Sequence, residues 1–274
     1  MHNRIKALLI TGGHWFEEEP FFEMISALQL WDDDVEIDWT HAAQPEAQAF
    51  FTPEKAAEFD VFVCYDMPGV TYTGGLPRFK LTDPPEAHKT DFLNLLNAGK
   101  PFVFLHHAIA SWPSWPEYAE IVGGSFQFVP AKLRGKIVPG SGYRFNVPQE
   151  IKVLDTEHPI VTGFDANFKI QDEVYMYTVF EDDITPLLRN TNFEFTPENF
   201  RSGGDGFKEH PGGSNLVGWT KTYGNSPIAY IMFGHGPQVY YDKQYRSLIV
   251  NSIKWAVSKE ATDWLRQQHL KAEV

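Results

Sequence analysis

With 274 residues, 43 % of them hydrophobic, the chain is long enough to bury a sizeable core, and residues 1–274 read as one α/β domain with loop insertions near 69–85 and 193–213. The 36 acidic against 23 basic residues give a formal charge of -13, which disfavours nucleic acid and anionic membrane surfaces as partners. Cys64 is the single cysteine and excludes an internal disulfide. No apolar run approaches the ~20 residues that span a bilayer, and no apolar leader precedes the first strand, so a cytoplasmic protein is expected.

Residues 5–10 are short, largely aliphatic and stopped by Thr11-Gly12-Gly13, which predicts a buried strand with His14 just past its end. Phe21, Met24, Ile25, Leu28 and Trp31 then recur at helical spacing, with Pro20 in the first turn. The acidic runs Glu17-Glu18-Glu19 and Asp32-Asp33-Asp34 read as solvated faces. Residues 35–39 predict a second strand, 53–58 a short helix and 60–64 a third strand, which runs into Tyr65-Asp66-Met67-Pro68 and so brings Asp66 toward the same edge. The Gly- and Pro-rich stretch 69–85 reads as a loop, and the apolar face of 86–98 as a helix ended by Gly99. A fourth strand over 101–105 meets His106-His107, which turn the chain into the segment Ser111-Trp112-Pro113-Ser114-Trp115-Pro116 and a helix around 117–122. Further on, strands are expected at 150–154, 168–177, 216–220 and 228–233, the last ending in Gly234-His235-Gly236, followed by a closing helix. The order of the middle strands cannot be read from their patterns.

In an open parallel sheet the ligand crevice lies beyond the carboxyl ends of the strands, so His14, His106-His107 and His235 can converge although distant in sequence. In the predicted strand Asp172-Glu173-Val174-Tyr175, side chains alternate, which puts Glu173 and Tyr175 on one face and Asp172 on the other. A carboxylate near several imidazoles suits a metal ligand, a general base or a partner that orients a ring. Each element of the set also has an ordinary structural role open to it, as a capping histidine, an edge salt bridge or a core aromatic. No HExxH, paired-cysteine, P-loop or GxGxxG pattern occurs, so no nucleotide held in those ways is predicted.

These motifs give the chain a family likeness. The Gly-Gly-His at 12–14, Phe-Leu-His-His-Ala at 104–108, Gly123-Gly124-Ser125-Phe126, His158-Pro159, Asp172-Glu173-Val174-Tyr175, Val217-Gly218-Trp219, Gly234-His235 and Ile253-Lys254-Trp255-Ala256 together resemble the trehalose-utilisation (ThuA-like) family over almost the whole chain. The resemblance implies an open, mostly parallel sheet flanked by helices, flavodoxin-like and similar to the class I glutamine amidotransferases. Histidine stands at the elbow where amidotransferases carry their nucleophilic cysteine, and Cys64 ends a different strand, so cysteine-dependent glutamine hydrolysis is not expected.

The resemblance also implies carbohydrate metabolism, with a small-molecule sugar substrate and functional pairing with a NAD-dependent sugar oxidoreductase that makes 3-keto sugars. It points to a lyase or hydrolase cleaving 3-keto glycosides by elimination and hydration. His106, His107, Glu173 and His235 would be catalytic; His14, Trp112 and Tyr175 would bind substrate. His107, Glu173 and His235 would hold a divalent transition metal, zinc or manganese. Two alternatives stay open: a noncatalytic sugar-binding or assembly subunit, and a hydrolase using metal-bound water on another small molecule. The loops at 69–85 and 193–213 are candidate lids or dimer arms, which leaves a homo-oligomer compatible with the chain.

Overall fold

The computed structural model describes residues 3–31 and 34–272; Asp32 and Asp33 of the second acidic run lie outside the described residues. The principal strands are β1 (Asn3–Gly12), β2 (Val35–Ala43), β3 (Val61–Asp66), β4 (Phe102–Leu105), β5 (Gly142–Val153), β6 (Asn167–Met176), β7 (Thr185–Asn190), β8 (Leu216–Tyr223) and β9 (Ser226–Ile231). The main helices are α1 (Glu18–Leu28), α2 (Glu86–Asn97), α3 (Pro116–Val122), α4 (Lys243–Ala256) and α5 (Lys259–Ala272).

One sheet runs in the order β6-β5-β7-β8-β9-β4-β3-β1-β2. From β2 through β9 the neighbours are parallel, in the flavodoxin-like arrangement. From β9 outward to β6 they are antiparallel. The parallel centre is mostly aliphatic and aromatic because helices cover both of its faces. Every residue of β3, β4 and β9 is buried. Alternation splits their side chains between two cores. Phe62, Phe102 and Phe104 meet Phe92 of α2 and Tyr118 of α3 on one side, whereas Tyr65 stacks on Phe21 of α1 on the other.

Three sequence expectations need correction. The stretch 69–85 is not simply a loop, since Val70–Tyr72 and Phe79–Leu81 pair as an antiparallel hairpin, and Phe79 is buried against Phe128. The stretch 193–213 is tied down by a small cluster of Phe193, Phe195 and Phe200 and by pairing of Arg201 and Ser202 with β5. The closing helix is followed by another, α5, whose Trp264 packs on Trp255.

Candidate functional site

The carboxyl ends of β1, β3, β4 and β9 open on one cavity of about 390 Å³. His14 reaches it after β1, Met67 after β3, His107 after β4 and His235 after β9. β6 lies at the far edge of the sheet order, yet its carboxyl end returns over these strand ends. The Asp172 carboxylate accepts from Gly234 N at 2.6 Å and from His235 N at 3.2 Å. This bond pair pins the Gly234-His235 turn, and Glu173 and Tyr175 then complete the floor. The alternation rule separated Asp172 from Glu173 by face and so hid that they serve the same turn.

His106 occupies a strained elbow, with φ +50° directly after β4. Its Nδ1–H donates to the Met232 carbonyl at 2.7 Å, which leaves Nε2 as the lone-pair nitrogen of the neutral ring. Nε2 lies 2.8 Å from the Tyr175 hydroxyl and 3.2 Å from Glu173 Oε2. The same Oε2 is 3.0 Å from His235 Nδ1. Two lone pairs facing each other across 3.2 Å repel, so a positive charge between Nε2 and Oε2, a proton or a metal ion, is what the geometry calls for. One donor atom from each of His106, Glu173 and His235 lies within 4.8 Å of the others. The converging member of the histidine pair is thus His106, a choice the sequence leaves open, and it takes the place of His107 in the expected metal-ligand set.

His107, unlike His106, lines the cavity. Its ring packs on Tyr65 at 4.3 Å and on His14 at 4.9 Å. His107 Nε2 and His14 Nδ1 are both buried without a hydrogen-bond partner, whereas buried polar atoms of this kind are ordinarily satisfied. Trp112 does not line the cavity. Its turn, with φ +47° and its N–H bonded to the Pro68 carbonyl, tucks the indole under Gly69 and against His88.

Electrostatics follow from burial and pairing. Burial alone would raise the Glu173 carboxyl, but hydrogen bonds from His106 and His235 outweigh it and bring it down to about 2. Burial would lower His235, yet the Glu173 bond and charge raise it. Burial first, then the neighbouring histidines, pushes His107 well below the usual imidazole range and His14 in the same direction. The floor therefore carries an ion-paired side at Glu173 and a neutral imidazole side at His14 and His107. Cys64 is buried in β3, and burial pushes its thiol up, which leaves it unsuited to act as a nucleophile.

Asp66, expected at the crevice, is buried without lining the cavity and accepts from Gln44 Nε2 at 2.8 Å. Burial raises its carboxyl to about 7 from an ordinary 3.8, against the opposing Gln44 bond. The native state thus holds this proton more tightly than the unfolded chain. Its contribution to stability is complete below pH 3.8 and is lost as pH rises toward 7. Asp66→Asn, which keeps the shape without the charge, should gain stability relative to the parent between pH 4 and pH 8, about where this titration falls. Parallel thermal-unfolding profiles across that range would refute the assignment.

Fold and floor together define a flavodoxin-like α/β protein with a histidine and carboxylate crevice at the carboxyl edge of its sheet. The chain belongs to the trehalose utilisation (ThuA) family, whose profile matches residues 6–256, and the family has a carbohydrate-related role. A ThuA-like protein from Parabacteroides merdae is 18 % identical, with a TM-score of 0.66 over 93 % of this chain and 91 % of that one. A second, from Bacteroides uniformis, is 20 % identical, with a TM-score of 0.60 over 93 % and 92 %. A cytoplasmic protein from Salmonella typhimurium is 12 % identical, with a TM-score of 0.53 over 91 % and 98 %. These likenesses bear on the fold alone. No curated protein matches the sequence, and among the described residues no helix is long and apolar enough to cross a membrane.

Proposed function

We propose that the protein is a carbohydrate-metabolism enzyme of the cytoplasm that cleaves 3-keto glycosides by elimination and hydration, downstream of a NAD-dependent sugar oxidoreductase. The observation that carries this reading is the convergence of His106, Glu173 and His235 within 4.8 Å, with Glu173 and His235 lining a sugar-sized cavity and His106 buried next to them. Glu173 Oε2 lies 3.2 Å from His106 Nε2 and 3.0 Å from His235 Nδ1, a mixed nitrogen and oxygen donor set of the kind that zinc accepts. Those three residues would hold a zinc or manganese ion, and the Met232 carbonyl orients His106 from behind as an outer support should. Such an ion, when bound, supplies a Lewis acid for the substrate ketone.

The chain's own groups account for the rest. A ketone at C3 acidifies the C2 proton, and His107, which lines the cavity and whose Nε2 has no partner, would take that proton. The C2–H electron pair moves toward the C3 oxygen, then returns to form the C1–C2 double bond as the C1–O bond to the leaving group breaks. The leaving oxygen takes the proton from His107. Water next adds its hydroxyl to C1 and a proton to C2, so the net change is hydrolysis. His14 Nδ1 accepts a sugar hydroxyl, and the Tyr175 hydroxyl lies 2.8 Å from His106 Nε2.

The test combines elemental analysis of the purified chain with turnover of a 3-keto glycoside. Near-stoichiometric divalent metal, lost in His106→Ala, and a fall in turnover of about a hundredfold or more in His235→Ala are expected. Unchanged turnover in both variants would overturn the reading. A ligand bound but recovered chemically intact would favour a noncatalytic sugar-binding subunit instead.

A further inference from the structure

Building on that reading, we infer that the leaving group of the substrate is a flat apolar aglycone, such as an aryl group, in place of a second sugar. Most of the polar side chains that line the cavity, His14, His107, Glu173 and His235, belong to its floor, with Arg78 and Ser202 the others, while two aromatic walls climb away from it. On one side Phe126 lies 5.2 Å from Tyr175, Phe128 lies 5.3 Å from Phe126, and Tyr72 of the hairpin lies 6.2 Å from Phe128. On the other side Phe145 sits 4.7 Å from His235, and Tyr143 sits 4.9 Å from Phe145. Tyr143 and Phe145, at the bulge of β5 that follows Arg144, both line the cavity.

This architecture separates two chemistries. One sugar ring can use the unpartnered nitrogens of His14 and His107 and the ion pair at Glu173. Away from those residues, Arg78 faces Asp205 and Ser202 already donates to the Gly204 carbonyl, so most hydroxyls of a second sugar would lie along aromatic faces, and hydroxyls desolvated without partners are penalised. A planar group inserted between the walls gains apolar burial and ring stacking there.

The mouth of the cavity points the same way. Trp15 is 78 % exposed, Tyr72 59 % and Phe145 38 %, and all three line this cavity. Large aromatic side chains grouped at an opening mark a surface that a ligand covers. An aglycone extending outward from the floor reaches these rings.

The test uses unoxidised glycosides, so that binding is read without turnover. Phenyl glucoside, methyl glucoside, trehalose and phenol are each titrated calorimetrically into the whole chain. Phenyl glucoside should bind about tenfold or more tightly than methyl glucoside and than trehalose. Tyr72→Ala and Phe145→Ala, made separately because both side chains are exposed, should each shrink the phenyl-to-methyl ratio. A ratio near one, trehalose binding as tightly as phenyl glucoside, or no glycoside binding at all would overturn the inference. Phenol binding as tightly as phenyl glucoside would instead remove the sugar from the reading and, with it, the aglycone. Tight phenyl glucoside binding without turnover of its 3-keto form would defeat the catalytic proposal and leave the aromatic slot standing.

Discussion

Glu173→Gln is expected to lower turnover of a 3-keto glycoside by about a thousandfold or more while leaving the fold intact. The substitution is nearly isosteric, so the buried space is preserved, but it removes the one charge that both His106 Nε2 and His235 Nδ1 face. His235 owes its raised pKa to that carboxylate, against the lowering effect of burial. In the variant, NMR titration of the His235 ring should therefore give a lower midpoint than in the parent. Stability carries a second signature. Glu173, depressed from 4.5 to about 2, contributes above pH 4.5 and loses that contribution as pH falls through about 2. His235, raised from 6.5, contributes below pH 6.5 and loses that contribution as pH rises through its folded value. The two overlap between pH 4.5 and 6.5, so metal-free parent and variant should differ most in unfolding midpoint inside that window. Full turnover in Glu173→Gln, or a constant difference in midpoint across pH, would rule out the paired carboxylate as the centre of the site.

What the sequence reveals about this site depends on whether the relevant signal is local. Strand ends punctuated by Gly12-Gly13, His106-His107 and Gly234 are local, and with the strand-end rule they suffice to bring His14, the histidine pair and His235 to one edge of a sheet. Periodicity likewise identifies α1 and α4, whose buried faces include Phe21, Met24, Leu248 and Ile249. Which of two adjacent histidines meets Glu173 is different, because it depends on the left-handed elbow at His106 and on the Met232 carbonyl, 126 residues away. The service of Asp172 to the Gly234 turn is equally non-local, as it requires β6 to return over β4 and β9. The aromatic walls were invisible for the same reason. Phe126, Phe128, Tyr143 and Phe145 look like core residues of an irregular middle segment until the antiparallel half of the sheet is in place. Trp112, by contrast, gave a misleading local cue, because a tryptophan just past a strand end resembles a ligand platform and is in fact packed against His88.

Gly13→Ala is expected to destabilise the chain by about 2–4 kcal/mol and to weaken binding at the floor as well. A β-carbon at this position would sit 2.4 Å from both the carbonyl carbon and the oxygen of Met67 and 2.7 Å from Pro68 N, on a backbone with φ +81°. These contacts are all with backbone, so no side-chain rotation relieves them. The adjoining Gly12 carbonyl accepts from Met67 N at 2.8 Å, which stitches the ends of β1 and β3 together at the place where the clash would force them apart. His14 and Met67 both line the cavity immediately beyond that stitch, so separation of the strand ends displaces one of the two unpartnered imidazoles. Gly74→Ala is the matched control. Its φ of +72° carries a comparable backbone preference, yet a β-carbon there meets nothing within 4 Å. It should therefore cost only about 1 kcal/mol, the conformational share alone. Chemical denaturation of the two variants separates the contact from the conformation. If Gly13→Ala is no less stable than Gly74→Ala, the ends of β1 and β3 are not held as closely as the crevice requires, and the placement of His14 beside His107 loses its structural cause.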